Sequence, residues 1–556
     1  MLGLTALLAI PAVAEDVLIK TPDGATLSAT LELPAARERV PAILYFNIYT
    51  NPESAVKEAR AMAARGYAGI VADTHGKRLS PDAPVPYERD ATDTRAVIDW
   101  IARQPWSNGK VGMIGSSNSG FSAWAATKHK HPALEAIAVS AAAIPGQGLP
   151  MYNNVFLTAN YAWAFYVTNN KLLDETLYAD NTRWQKLPFE WFSSGRPYRE
   201  IDAVDGTPNP WLQRWLQHPS FDAYWQDMVP YGREFARIDI PVLSITGYYD
   251  DAQISALQYF TEHYAHRRDA EHYLVVGPYD HFGSNSREKP AVLRDYPIDA
   301  SAQLDTEELK LAFMDHVLRG APLPAVLADR VNYQVMGANE WRHVHSLADM
   351  HPRSKRAYFS PAKTGEHYSL VSTRPAADAV VTHTVDLADR NLFHNFHSYP
   401  GQIIQDPLRY VTEAVFATAP FETSATISGQ FRGELAVSIN KRDFDYGVTV
   451  YEAMPDGKLF HLGYSLNRAS YARDATRRKL LEPGKLVRLP FATLLVSRRI
   501  QPGSRLLVLV DANKTPFAQV NYGTGKDVSD ESMQDAGAPL EIRITAGSYV
   551  DVPIDR

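Results

Sequence analysis

Residues 111–124 read VGMIGSSNSGFSAW, three serines between two glycines. A serine becomes a usable nucleophile when a sharp strand-to-helix turn lifts its hydroxyl clear of the backbone. Such a turn is crowded, so it needs small residues about two positions before the serine and two or three after it. Ser116 fails this test because Ile114 stands two before it, and Ser119 fails because Phe121 stands two after. Ser117 passes, with Gly115 before it and Ser119 and Gly120 after. KVGMIG before it has a strand pattern and SGFSAWAATKH after it a helical one, which is the context the turn requires.

A serine hydroxyl at neutral pH needs a base within reach and a third group to orient that base. In a doubly wound sheet these groups come from the carboxyl ends of later strands. PVLSITGYYD ends in Asp250, and HYLVVGPYDH ends in His281. Asp250 is preferred to Asp251 because it closes the apolar run directly. Asp280, beside His281, is expected to point to solvent. The chain order Ser, Asp, His is that of α/β-hydrolases. An acyl-transfer oxyanion also wants two preorganised donors. The backbone N–H of Asn118 is one. Tyr49, in the loop IYTNPES after the strand AILYFN, offers a phenolic second. A packed loop tyrosine is an equally good reading of that residue from the sequence alone.

The surrounding elements can position these groups. From residue 15 to 146, apolar runs such as AILYFN and YAGIVADT alternate with helical stretches such as NPESAVKEARAMAARG. In that helix Pro52 sits in the first turn, and Val56, Ala59 and Ala63 share a face. The same alternation resumes over 236–325, predicting one α/β domain with a mostly parallel sheet. Residues 147–235 break the pattern and hold six of the ten tryptophans, so they are expected to form a helical cap inserted above the strand ends. Most of those aromatics should form the cap's own core, with one or two facing a ligand. From 330 to 556 short β-branched runs, among them RVNYQVMG and RLLVLVDAN, alternate with turn residues, as in an all-β sandwich of jelly-roll type.

Composition limits the alternatives. The 556 residues contain no cysteine, which excludes disulfides, thiolate catalysis and cysteine-ligated zinc. A net charge of −7 gives no general attraction to nucleic acid, and the basic stretch RDATRRKL (473–480) reads as a solvated loop. Residues 1–14 are apolar and end in Ala12-Val13-Ala14, which reads as a signal peptide and places the mature protein in the periplasm or outside the cell. No later stretch is long and apolar enough to span a membrane, for which about 20 residues are needed.

On the segments NIYTN, VADTHG, GSSNSG, GYYDD and GPYDH the chain resembles the cocaine-esterase and X-Pro dipeptidyl-peptidase group of serine hydrolases. The resemblance covers nearly the whole chain after residue 14. It implies an α/β-hydrolase domain with an inserted helical cap and a C-terminal jelly roll. It also implies Ser117 as nucleophile, Asp250 and His281 as its partners, and Tyr49 as an oxyanion donor. Two features depart from the family. Asn118 stands where an aromatic residue usually follows the nucleophile. Only Asp251 is acidic in DAQIS after Asp250, where relatives acting on α-amino-acid esters carry extra carboxylates. The expected activity is cleavage of a small ester or amide through an acyl-enzyme, without cofactor or metal, with the oligomeric state left open to a homo-oligomer. Two alternatives stand beside it. One is an X-Pro exopeptidase holding its substrate's amine with Glu190, Glu200 or Asp251. The other is a carbohydrate-binding protein stacking sugars on Trp341 or Tyr522.

Overall fold

The computed structural model describes residues 14–35, 38–351, 353–391, 401–408 and 412–555. The expected signal segment therefore lies outside the described residues except for Ala14.

A ten-stranded sheet organises the N-terminal part. Its strands are β1 (Glu15–Lys20), β2 (Thr26–Glu32), β3 (Val40–Asn47), β4 (Ala68–Asp73), β5 (Ser107–Ser116), β6 (Leu134–Ser140), β7 (Val242–Tyr249), β8 (His272–Asp280), β9 (Val331–Val335) and β10 (Glu340–Val344). They lie in the order β1-β2-β4-β3-β5-β6-β7-β8-β9-β10. From β4 to β9 every pairing is parallel. Antiparallel neighbours close both edges. A parallel interior needs cover on both faces, which explains the continuous apolar runs of β3 to β8.

That cover comes from the crossover helices. Helix α1 (Pro52–Ala64) starts where the Asn51 side chain accepts the Ser54 N–H and Pro52 fills the first turn. It buries Ala55, Ala59 and Met62, with Val56 only half-buried. These side chains pack with Met314 and Leu318 of the helix Thr306–Arg319 against Ile43, Val71 and Ala136 of the sheet. Helices α2 (Asp90–Ala102) and α3 (Asn118–Lys128) cover the opposite face with the helix Gln253–His266. There buried Trp124 stacks on Tyr259 with ring centroids 4.2 Å apart.

The insertion between β6 and β7 is helical, with its longest segments at Ala159–Thr168 and Asn181–Ser194. Buried Lys77, in the loop after β4, donates to the carbonyls of Val167 and Asn170 at 2.9 and 2.7 Å. Lys171 donates back to the carbonyls of Gly76 and Ser80 at 2.8 and 2.9 Å. The two ammonium groups pin the end of the first cap helix onto the hydrolase domain.

One boundary differs from the sequence reading. RVNYQVMG was expected to open the β-rich domain, yet Val331–Val335 pairs in parallel with β8 and Glu340–Val344 follows as its antiparallel mate. A short β-branched strand has the same texture in either sheet, and only through-space pairing assigns it. The following β-rich region, starting with the strand Lys355–Thr364, contains a twelve-stranded and a three-stranded sheet. It packs on the insertion, where Tyr152 and Val155 meet Tyr464, Leu466 and Leu494. No helix among the described residues is long and apolar enough to cross a membrane.

Candidate active site

β5 ends at Ser116 and α3 begins at Asn118, so Ser117 alone makes the turn. It adopts φ 55° and ψ −121°, a conformation costly for a residue with a side chain. The surroundings hold it there. Its N–H donates to the Ser140 carbonyl at 3.0 Å, and its carbonyl accepts the Phe121 N–H at 3.0 Å. The flanking glycines are required sterically. A Cβ on Gly115 would lie 2.2 Å from the Ser119 carbonyl oxygen, and one on Gly120 would lie 2.9 Å from Ala142 Cβ.

Asp250 follows β7 immediately and is fully buried. Its Oδ2 accepts the Thr246 hydroxyl at 2.8 Å, and its Oδ1 accepts the Ala252 N–H at 3.0 Å. The same Oδ1 lies 3.0 Å from His281 Nδ1, in the residue after β8. A carboxylate can only accept here, so Nδ1 carries the proton and the other ring nitrogen is left to act as base. Ser117 and His281 line one cleft of about 1270 Å³, walled further by Tyr49, Tyr87, Trp163 and Phe282. Two of the three residues read from separate strand ends thus face one cavity, and the third, Asp250, is buried behind His281.

A second carboxylate joins them. Asp251 Oδ1 lies 2.9 Å from the same His281 Nδ1 and also borders the cleft. Burial penalises the imidazolium, but the charges and hydrogen bonds of Asp251 and Asp250 outweigh it and hold the His281 pKa well above its ordinary value. Burial pushes Asp250 up. For Asp251 burial works in the same direction, but the neighbouring imidazolium prevails and pulls it down. These three groups also form the one set of converging metal-type ligands among the described residues. Asp250 already accepts three hydrogen bonds, so the arrangement serves His281 directly.

Tyr49 lines the same cleft as Ser117. The indole Nε1–H of Trp163 donates to its phenolic oxygen at 2.8 Å. An indole N–H can only donate, so the Tyr49 proton must point elsewhere. Ser117 is within hydrogen-bonding reach of that hydroxyl. Burial raises the Tyr49 pKa, which keeps the phenol protonated and able to donate. The Asn118 N–H opens α3, where no intrahelical acceptor exists for it. The Asn118 side chain itself is buried.

The remaining candidates lie elsewhere. Asp280 turns away from the site, accepting the Gly283 N–H at 2.8 Å and facing Arg294 at 3.6 Å. Glu190 pairs with Lys186 and Glu200 with Arg196 in i,i+4 ion pairs on the cap surface, outside the cleft. Trp341 donates its indole N–H to the Ser301 carbonyl, and Tyr522 is buried, so neither is an open platform for a sugar. Of the six cap tryptophans, Trp163 lines the cleft, in a three-ring cluster with Tyr87 at 4.9 Å and Trp215 at 6.0 Å. The C-terminal region supplies none of the cleft's lining among the described residues. Sequence reasoning singled out neither Trp163 nor Asp251's contact with the histidine. The only signals were an aromatic-rich insertion and a doubled Asp.

Residues 23–283 match the family model of X-Pro dipeptidyl-peptidase (S15 family). Residues 326–544 match that of the X-Pro dipeptidyl-peptidase C-terminal non-catalytic domain. The chain belongs to this CocE/X-Pro dipeptidyl-peptidase-like family. It is 26% identical to cocaine esterase of Rhodococcus sp. (strain MB1 Bresler), an alignment covering 98% of each chain. Among solved structures, an aminopeptidase from a marine sediment Thaumarchaeota archaeon superposes with a TM-score of 0.81 at 20% identity, covering 100% of this chain and 98% of the other. An α-amino acid ester hydrolase superposes with a TM-score of 0.79 at 19% identity, over the same shares. These likenesses establish the α/β-hydrolase fold with a β-rich C-terminal domain over the whole length.

Proposed function

We propose that this protein is a serine hydrolase that cleaves an ester or amide bond of a small acyl substrate through an acyl-enzyme. The observation that carries the reading is the His281 Nδ1–Asp250 contact at 3.0 Å beside a strained Ser117 in one cleft. In the first half-reaction His281 Nε2 takes the Ser117 proton as Oγ bonds to the carbonyl carbon. The carbonyl oxygen becomes an oxyanion, which accepts hydrogen bonds from the Tyr49 hydroxyl and the Asn118 N–H. As the tetrahedral carbon collapses, the bond to the leaving oxygen or nitrogen breaks and His281 delivers its proton to that atom. In the second half a water gives its proton to His281 and attacks the acyl carbon. Collapse releases the carboxylic acid and returns the proton to Ser117. Cocaine esterase and the solved α-amino acid ester hydrolase support the ester reading.

Fluorophosphonate labelling followed by peptide mass spectrometry should place one adduct on Ser117, and Ser117→Ala should abolish both labelling and turnover of a p-nitrophenyl ester. An adduct on another residue refutes the assignment. The name of the matching family keeps an X-Pro exopeptidase as a second reading. Against it, Glu190 and Glu200 lie outside the cleft and Asp251 is engaged with His281. Comparing Ala-Pro-p-nitroanilide with simple esters separates the two. We also propose that residues 1–14 are removed on export and that the β-rich region is a jelly roll, the first supported by the apolar run ending in Ala12-Val13-Ala14. N-terminal sequencing of the secreted protein should begin at Glu15.

A further inference from the structure

Past Tyr49 the cleft opens into a second chamber of about 1300 Å³, which shares Tyr45, Tyr49, Ser116, Tyr178 and Asn285 with the first. Asn285 stands at the junction, on the turn Gly283–Asn285 that follows His281. Its Oδ1 accepts two donors, the Lys310 ammonium at 3.0 Å and the Ser140 hydroxyl at 3.1 Å. Lys310 is almost wholly buried and has Glu307 at 2.9 Å as its counter-ion. An ammonium only donates, so it cannot face the amide nitrogen, and the orientation of the Asn285 carboxamide is fixed chemically. The Nδ2 group, with two hydrogens to give, is thereby turned away from Lys310. It has no hydrogen-bond partner among the described residues and is not sealed off from solvent. A buried ammonium, paired with the partly exposed Glu307, aims one carboxamide at the place where the two chambers meet.

We infer that Asn285 is a substrate-recognition residue, oriented by Lys310, and that the substrates this enzyme prefers carry a hydrogen-bond-accepting oxygen, a carboxylate or carbonyl, next to the scissile bond. The inference rests on the hydrolase reading above and narrows it to a substrate class. Nothing in the triad or in the oxyanion donors demands such a group. The demand comes from an N–H₂ left open where the cleft meets the second chamber. Lys310 is neutralised by Glu307, so it orients the carboxamide without adding net charge, and the preference for an oxygen acceptor rests on the outward N–H₂ donors.

The test exploits the two ends of the carboxamide. Asn285→Asp keeps an acceptor for Lys310 and Ser140 but replaces the outward donor with an oxygen. Two matched series of esters would be assayed. In one, p-nitrophenyl esters carry a carboxylate, an ammonium or neither on the acyl chain. In the other, the same groups are carried on the leaving phenol. In at least one series the wild-type enzyme should favour the carboxylate over the ammonium ester in kcat/KM. Asn285→Asp should reduce that ratio by about tenfold or more, the scale of one hydrogen bond to a charged group. Asn285→Ala should lose the carboxylate preference without gaining the ammonium ester, which keeps the test informative if the aspartate variant misfolds. Ratios that stay constant across wild type and both variants in both series would overturn the inference. Turnover of the neutral ester that disappears in Ser117→Ala would still uphold the hydrolase reading, so the two failures are distinguishable.

Discussion

Trp163 belongs to the cap and Tyr49 to the hydrolase domain, yet a 2.8 Å hydrogen bond joins them in the cleft that Ser117 lines. The bond does more than hold a ring in place. Because the indole N–H can only donate, it turns the Tyr49 proton away from itself and leaves it for an acceptor in the cleft. Trp163→Phe keeps an aromatic ring packed on Tyr87 and Trp215 but removes the donor. The loss is of one neutral hydrogen bond, about 0.5–1.5 kcal/mol, which is a two- to thirteenfold fall in kcat. Tyr49→Phe removes an oxyanion donor outright and should cost about a hundred- to a thousandfold in kcat. If Trp163 acts through Tyr49, the two losses cannot add, and the double variant should be no slower than Tyr49→Phe alone. The assay is steady-state hydrolysis of a p-nitrophenyl ester by wild type, both single variants and the double variant, with circular dichroism confirming that each is folded. Multiplication of the two losses in the double variant, or a fall confined to KM, refutes the coupling and leaves Trp163 as a wall of the pocket.

Further outcomes follow from the same geometry. Asp250→Asn removes the acceptor that fixes the His281 tautomer and should lower kcat by about three to four orders of magnitude, with stopped-flow or long-time assays resolving the residue of activity. Asp251→Asn leaves the Asp250 hydrogen bond intact and removes the Asp251 carboxylate from beside the imidazole. The His281 pKa is raised by the two carboxylates, and the base works only when deprotonated, so activity climbs as pH rises through that pKa. With Asp251 neutralised the acidic limb of the kcat/KM profile should move to lower pH, and a limb that stays in place or moves upward contradicts Asp251's part in tuning the base. Gly115→Ala should lower both Tm and activity, because its Cβ would meet the Ser119 carbonyl at 2.2 Å; a variant as stable and as active as wild type would show that the turn can relax.

The placement of Ser117, Asp250 and His281 was legible because each closes a hydrophobic run, and in a parallel sheet the ends of such runs gather at one edge. Ser117 could be told from its two neighbours by steric demand alone, and Gly115 and Gly120 meet that demand for the reason expected, the closeness of Ser119 and Ala142. What escaped depends on contacts that no local pattern encodes. Asp251 looked like a spare acid beside the true one, since sequence cannot show that consecutive side chains reach the same imidazole nitrogen. Trp163 was one of six tryptophans in a segment without regular periodicity, and its distinction comes from a single bond to a loop 114 residues earlier. Val331–Val335 was misassigned for a related reason: strand texture reports burial and not the identity of the neighbouring strand.

These omissions have a common consequence for how the enzyme is built. The strand ends supply proton transfer, which the hydrolase sheet can organise by itself. In the proposed mechanism oxyanion binding is different, because its side-chain donor, Tyr49, is hydrogen-bonded to Trp163 of the insertion. That insertion is clamped by Lys77 and Lys171 a few residues beyond Thr168, at the end of the helix that carries Trp163. Loosening the clamp should therefore lower kcat without moving the pH profile set by Asp250, Asp251 and His281. Lys171→Met tests this far from the chemistry. A reduced kcat with an unchanged acidic limb supports a cap that sets the oxyanion hole, whereas an unaltered kcat in a variant whose cap is shown by hydrogen exchange to be loosened would mean that Tyr49 keeps its orientation without help.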